Sequence, residues 1–117
     1  KQYDKWFDFN KKEADEAFAK NQKEALGGYI NTAYSIAVNP DFEKAGLDDK
    51  AIAMIENIKD VDPESLAVNY CLASLYLKTR NKAKGLENID TYIKKASAKG
   101  DEPNERVLAL KTKIESL

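Results

Sequence analysis

The chain contains no histidine and a single cysteine, Cys71, among its 117 residues. Zinc sites in proteins are built mainly from cysteine and histidine, so this composition predicts no zinc centre. One cysteine cannot close an internal disulfide, and no histidine is present to activate it as a nucleophile. We therefore expect Cys71 to serve as a small buried hydrophobic residue.

The sequence also lacks an excess of charge of either sign. It has 19 basic and 20 acidic residues, a formal net charge of −1 and a pI near 5.6. Nonspecific attraction to nucleic acid or to an anionic membrane requires a basic excess. We therefore expect no nucleic-acid partner.

Long apolar runs are missing as well. No segment approaches the ~20 apolar residues that span a bilayer, and no basic start followed by an apolar core marks a signal peptide. We expect a soluble chain without membrane insertion. The first residue is Lys1 rather than methionine, which fits either a processed mature protein or a domain of a longer chain. Processing would suit an extracytoplasmic location, and the sequence leaves the compartment open.

Catalytic and cofactor motifs are not found either. Acidic pairs such as Asp48 and Asp49 are adjacent in sequence and suit helix caps better than a convergent acid and base or a calcium loop. The Gly27-Gly28 pair follows no predicted strand and lacks the lysine and hydroxyl residue of a phosphate loop. We therefore expect a non-enzymatic protein that uses no cofactor.

Helix signals are what the sequence does contain. Strand-like alternation is missing, and the three prolines lie between periodic stretches, which predicts an all-α fold of five to six helices. Asn10 with Glu13 forms a capping-box pattern for a first helix over about 11–20, preceded by an aromatic turn. Residues from about 22 to 38 are expected to form a second helix or a continuation of the first past Asn21, followed by a connection over 39–48 anchored by Phe42 and Leu47.

The predicted helix boundaries are clearer in the second half of the chain. Asp48 or Asp49 is expected to cap a helix that ends near residue 59, and Asp62 to cap a helix from Pro63 to about Thr79. Asn81 is expected to cap the next helix, which runs to about residue 98. A last helix after Pro103 carries a narrow apolar stripe, composed of Val107, Leu110, Ile114 and Leu117.

A helical pattern recurs after 34 residues. Two sets of residues, each small, large, large and large at helical spacing, share this period: Ala51, Ile52, Ile55 and Ile58, then Gly85, Leu86, Ile89 and Tyr92. A fixed period of this length is typical of stacked helical hairpins. The small residues Ala73 and Gly85 are expected to let two helices approach closely.

These residues resemble the tetratricopeptide repeat (TPR) family, whose unit is two antiparallel helices in 34 residues. Leu72, Ala73 and Tyr76 match the large, small and aromatic positions of the family's first helix, and Gly85 and Ile89 match the second. Tyr92 departs from the pattern, because the family has a small residue there. The resemblance implies a short right-handed superhelix of antiparallel hairpins.

The domain organisation that follows is a single TPR-like helical domain over 1–117. Its expected parts are an N-terminal aromatic segment with a helix over 1–21, an irregular repeat with a long connection over 22–62, the best-matching repeat over 63–99, and a C-terminal capping helix over 101–117.

Function follows from the resemblance, because TPR scaffolds bind a peptide or a partner protein in the groove lined by their first helices. The matching positions that we assign to partner binding are Tyr70, Ser74, Leu77 and Lys78. Residues of these types at helical spacing more often belong to the core, so burial of Tyr70 and Leu77 under another helix is the competing interpretation.

An alternative function is that of an accessory helical domain of a larger, exported protein, packed on a neighbouring domain or on a second copy. The N-terminal aromatic residues Tyr3, Trp6, Phe7 and Phe9 support it, since four aromatics in seven residues are unusual at a free terminus. The stripe on the last helix would pair with a second copy if it were left open. The oligomeric state stays open.

A cluster of basic residues surrounds an expected hairpin turn: Lys78, Arg80, Lys82 and Lys84. Such a cluster can meet phosphate or an acidic partner. A solvated turn is the favoured interpretation, because basic residues suit a helix C-terminus.

Overall fold

The computed structural model describes residues 2–117, and all regular structure in this range is helical. There are six α-helices and one short 3-10 turn at Pro40–Phe42: α1 Tyr3–Lys20, α2 Gln22–Val38, α3 Asp48–Ile58, α4 Leu66–Lys78, α5 Lys82–Ala98 and α6 Glu105–Glu115. The all-α class and the helix number predicted from the sequence are confirmed. Within the described chain, no helix combines the length and apolar character needed to cross a membrane. The helices form two units, which meet in the sequence at Pro63 and Glu64.

The first unit is built on an antiparallel hairpin of α1 and α2, joined by Asn21 alone. Asn21 has an extended backbone, and its side-chain oxygen accepts a hydrogen bond from the Glu24 N–H at the start of α2. A Cβ at Gly28 would lie 3.4 Å from the Cβ of Ala14, so the two helices run close together. The Tyr29 hydroxyl then donates a 2.6 Å hydrogen bond to Asp15.

Helix α1 begins eight residues earlier than the capping pattern at Asn10 predicts. Asn10 lies inside the helix, and its amide donates to the Trp6 carbonyl at 2.8 Å. The N-cap position is Gln2, whose side chain forms no capping hydrogen bond. Burial of the aromatic residues explains the longer helix, since tertiary packing supplies most of the stability of helices in proteins.

Two aromatic residues of α1, Tyr3 and Trp6, hold the connection between α2 and α3. The Phe42 ring lies 4.5 Å from the Trp6 ring and 5.6 Å from the Tyr3 ring, centroid to centroid. The Tyr3 hydroxyl donates to the Asp41 carbonyl at 2.9 Å. Leu47 is fully buried and occupies the N-cap position of α3. The prediction that Asp48 or Asp49 caps this helix was therefore wrong, because burial of Leu47 sets where the helix starts.

The second unit consists of α4, α5 and α6. Helices α4 and α5 form an antiparallel hairpin, and α6 packs on both of them. Between the three helices lies a hydrophobic cluster, which we call the α6 core: Ala73, Ile89, Val107, Leu110 and Ile114. The stripe predicted on the last helix supplies three of these residues, so it is covered within the chain.

Gly85 allows α6 to pack closely on α5. A Cβ placed on Gly85 would lie 3.0 Å from Cγ2 of Ile114, which is closer than an ordinary van der Waals contact, so a larger residue would require the Ile114 side chain to shift. Ile114 is itself fully buried. The small residue expected at this position therefore makes room for a side chain of α6.

Helix α4 begins at Leu66, three residues after the predicted start at Pro63. Ser65 is the N-cap residue, and its hydroxyl accepts a hydrogen bond from the Val68 N–H. Serine with an extended backbone is among the best helix caps, so it replaces the predicted Asp62 as the cap. The predicted cap of α5 is confirmed: the Asn81 side chain accepts a hydrogen bond from the Lys84 N–H.

Candidate functional site

Helix α4 is largely buried, with Ala67 as its one exposed residue, and this decides which of its predicted binding residues reach the surface. Eight of its residues are buried: Val68, Asn69, Cys71, Leu72, Ala73, Ser74, Leu75 and Tyr76. Tyr70, Leu77 and Lys78 are half-buried. Between residues 70 and 78, the side chains that α4 presents at its surface are therefore those of Tyr70, Leu77 and Lys78, each of them half-buried.

The four residues assigned to partner binding lie in different environments. Ser74 is 7% exposed, and its hydroxyl donates to the Tyr70 carbonyl at 2.9 Å within the helix. Leu77 packs against the α6 core. Lys78 lies at the end of α4, beside the turn into α5. Tyr70 packs against the α6 core as Leu77 does, and both side chains stay half-buried. The interpretation of these two residues as part of the core therefore holds in part.

Tyr70 forms a cluster with one residue from each of the two following helices. The Tyr92 ring of α5 lies 5.9 Å from the Tyr70 ring, edge to face at 62°. The Arg106 guanidinium of α6 lies 5.4 Å from the centroid of the Tyr70 ring, within the range of cation–π attraction. We call Tyr70, Tyr92 and Arg106 the Tyr70 cluster. Its rings are half-buried and Arg106 is exposed.

A buried polar network joins α4 to α5. The Asn69 amide donates to Oδ1 of Asn88 at 3.2 Å, and Asn69 Oδ1 accepts from the Lys95 ammonium at 2.8 Å. The Asn88 amide donates in turn to the Lys84 carbonyl at 2.9 Å. Asn69 and Asn88 are both buried. Because buried polar groups are costly when unpaired, the network fixes the register of α4 against α5.

An ion pair to α5 and an N-terminal cap fix the position and the start of α6. The Lys111 ammonium of α6 lies 2.8 Å from Oδ1 of Asp90 on α5. The contact with Asp90 raises the pKa of the Lys111 ammonium. At the start of α6, the Asn104 side chain accepts from the Val107 N–H at 3.0 Å. Arg106 thus projects from the first turn of a helix whose start and packing are both fixed.

The chain matches no protein family model, no curated protein and no solved structure. The geometry of the described residues therefore carries the functional argument.

The chain's single thiol, which follows Tyr70 directly in the sequence, is chemically inert. Cys71 is buried, and burial raises the pKa of its thiol to about 12. The reactive form of cysteine is the thiolate, so Cys71 stays protonated and unreactive at neutral pH. Among residues 2–117, no three histidine, cysteine or carboxylate side chains lie close enough together to hold a metal ion.

The sequence analysis assigned Tyr70 to partner binding and did not single out Arg106. Tyr92 carried a signal, because it places a large ring where the repeat pattern expects a small residue, and that ring packs on Tyr70. Arg106 had no such signal, since its contact with Tyr70 depends on where α6 is placed.

Proposed function

We propose that this chain is a non-catalytic, TPR-like interaction module that binds a peptide or partner protein at the Tyr70 cluster. The observation that carries the proposal is the set of two half-buried tyrosine rings with an exposed arginine over one of them. Tyrosine and arginine are among the residues that contribute most to binding energy at protein interfaces.

The setting of the cluster supports the proposal. Each residue projects from a different helix, and the helices are held by the α6 core and by the buried asparagine network. A surface that is already ordered loses little conformational entropy when a partner binds. Arg106 adds a planar donor that can bind a partner's carboxylate or carbonyl groups.

The hairpin of α4 and α5 supports the TPR-like part of the proposal. Its two helices are joined by the short connection Thr79–Asn81, and a small residue at Gly85 admits the next helix. We propose that the antiparallel hairpins form a short right-handed superhelix of the TPR kind.

Selection of peptides against the full chain tests the function. Peptides from a random display library would be selected for binding, and the site would be mapped by amide chemical shifts. We expect shifts at residues 70, 92 and 106. Arg106→Ala should weaken binding about tenfold, as loss of a central interface residue does.

A matched control lies on the same helix. Leu108 is exposed and is two positions from Arg106, so Leu108→Ala also removes a surface side chain of α6. We expect this variant to bind selected peptides as the unmodified chain does. Selected peptides that shift other amides, or that bind equally to both variants, would contradict the proposal.

The accessory-domain alternative receives less support, because its aromatic segment is largely packed within the first unit. Trp6 and Tyr3 contact Phe42, and Phe7 is buried. Phe9 alone of the four is strongly exposed, at 62%. A single exposed aromatic residue is common on protein surfaces.

A further inference from the structure

The turn between α4 and α5 concentrates positive charge. Residues 78–84 contain four basic residues and no acidic one. Arg80, Lys82 and Lys84 are exposed, and their side chains form no ion pair with any described residue. We call residues 78–84 the basic turn.

The backbone of this turn is unusual for arginine. Arg80 has a φ of 60°, a left-handed conformation that favours glycine. The surrounding hydrogen bonds are those of a complete Schellman motif, with Asn81 N–H donating to the Tyr76 carbonyl and Arg80 N–H to the Leu77 carbonyl. Arginine therefore occupies the position of a helix end where glycine is standard.

The end of α5 offers an internal comparison. There the same two hydrogen bonds join Asp101 to Ala96 and Gly100 to Ser97, and Gly100 has a φ of 84°. The chain thus uses glycine at one Schellman motif and a charged residue at the other. The backbone conformation at Arg80 favours glycine, whereas the C-terminus of α4 favours a positive side chain.

Two lysines of the basic turn also oppose local electrostatics. Lys82 and Lys84 lie in the first turn of α5, which contains no acidic residue. Positive side chains are unfavourable there because the helix dipole is positive at its N-terminus. Repulsion among the three exposed charges adds to this. Charges kept against local preference are typical of functional surfaces.

We propose that the basic turn binds an acidic segment of a partner protein. The chain as a whole has a net charge of −1, so the rest of its surface is acidic on balance and repels an extended polyanion. Nucleic acid or an anionic membrane would face that surface over a wide area, whereas a short acidic peptide contacts the turn alone.

This surface is separate from the Tyr70 cluster. Tyr70 and Lys78 are eight helical residues apart, which corresponds to about 12 Å along α4. The basic turn and the Tyr70 cluster can therefore be tested independently, and failure of one proposal leaves the other in place.

Titration of the full chain with a fluorescently labelled oligoglutamate peptide tests the inference. Binding would be measured by fluorescence anisotropy at low salt, and the contacted residues by amide chemical shifts. We expect shifts over 78–84 and binding that weakens as salt is added. Lys82→Gln with Lys84→Gln should weaken binding about tenfold, since each exposed charge contributes modestly.

The controls separate this site from general charge attraction. Lys12→Gln with Lys23→Gln removes the same charge from exposed lysines, and Lys23, like Lys84, lies in the first turn of a helix. We expect this pair to leave binding within about twofold. Arg80→Gly removes a charge from the turn at a position where glycine suits the backbone, so weaker binding by this variant cannot be attributed to misfolding.

Two results would overturn the inference. Equal loss of binding in the two lysine pairs would show that the peptide senses net charge only. Tighter binding of a single-stranded oligonucleotide or of phosphatidylserine vesicles than of oligoglutamate would assign the turn to another class of partner.

Discussion

Arg80 and Gly100 occupy equivalent backbone positions and differ only in their side chains, which makes them a natural pair for measurement. Both have positive φ and close a Schellman motif. We predict that Arg80→Gly raises the free energy of unfolding by about 0.5–1 kcal/mol, and that Gly100→Ala lowers it by about 1 kcal/mol, because side chains other than glycine strain this conformation.

Urea denaturation followed by circular dichroism would measure both changes. A destabilised Arg80→Gly variant would show that the arginine side chain makes contacts that outweigh its backbone strain.

Asp15 and Tyr29 make the stability of the first unit depend on pH. The Tyr29 hydroxyl donates a 2.6 Å hydrogen bond to Asp15, and this bond, with a smaller contribution from Lys11, holds the pKa of Asp15 below its ordinary value of 3.8. A carboxyl group whose pKa is lowered by folding stabilises the fold above its unfolded pKa. That contribution is lost as the pH falls through the folded pKa.

We predict that Tyr29→Phe costs about 1 kcal/mol at neutral pH, because it removes one hydrogen bond to a partly exposed carboxylate. The difference from the unmodified chain should shrink as the pH falls below 3.8. The phenylalanine ring keeps the edge contact with Phe18. Urea unfolding at a series of pH values would measure the effect, and a difference that is constant across that series would exclude Asp15 as its source.

At the scale of helices, the register of α4 against α5 depends on two buried asparagines. Asn69 donates to Asn88 and accepts from Lys95, so either single change leaves a buried polar group without its partner. We predict that Asn69→Leu costs about 1–3 kcal/mol. The double variant Asn69→Leu with Asn88→Leu should cost less than the sum of the single changes, since apolar groups then replace both partners.

A double-mutant cycle based on thermal or urea unfolding would measure this coupling. Strictly additive costs would show that the two amides stabilise the hairpin independently.

Most of the helices could be predicted from the sequence, because caps and prolines are local signals. α2 and α5 lie close to their predicted bounds, and Asn81 caps α5 as expected. The starts of α1 and α4 were mispredicted for a physical reason. Burial of the aromatic face extends α1 past a good capping pattern, and Ser65 provides a cap closer to the buried face of α4.

The candidate site was less predictable than the helices. Tyr70 lies on the expected helix, but Ser74 is buried, and both Leu77 and Tyr70 itself pack against the α6 core. Whether a helical residue is covered depends on tertiary packing, which the period of one helix does not encode. Arg106 reaches Tyr70 only because α6 packs across both helices of the hairpin.

At the scale of the whole molecule, the expectation of a single domain over 1–117 stays a prediction. The first unit ends at Pro63 and the second begins at Glu64. Units of roughly 60 residues bury a smaller fraction of their surface than larger domains do, so their stability is marginal when they fold alone. We therefore predict that the chain unfolds in one cooperative transition.

Each unit contains its own reporter. Trp6, the chain's only tryptophan, is half-buried against Phe42 in the first unit, so its fluorescence follows that unit. Cys71 is buried in the second unit and becomes reactive to a thiol reagent only when that unit opens, because burial raises the pKa of its thiol.

We predict that both reporters change at the same urea concentration. We also expect Arg80→Gly, a change in the second unit, to shift the Trp6 transition to a higher urea concentration. A Trp6 transition that is unmoved by Arg80→Gly, while Cys71 protection shifts, would show that the chain is two independently folding domains.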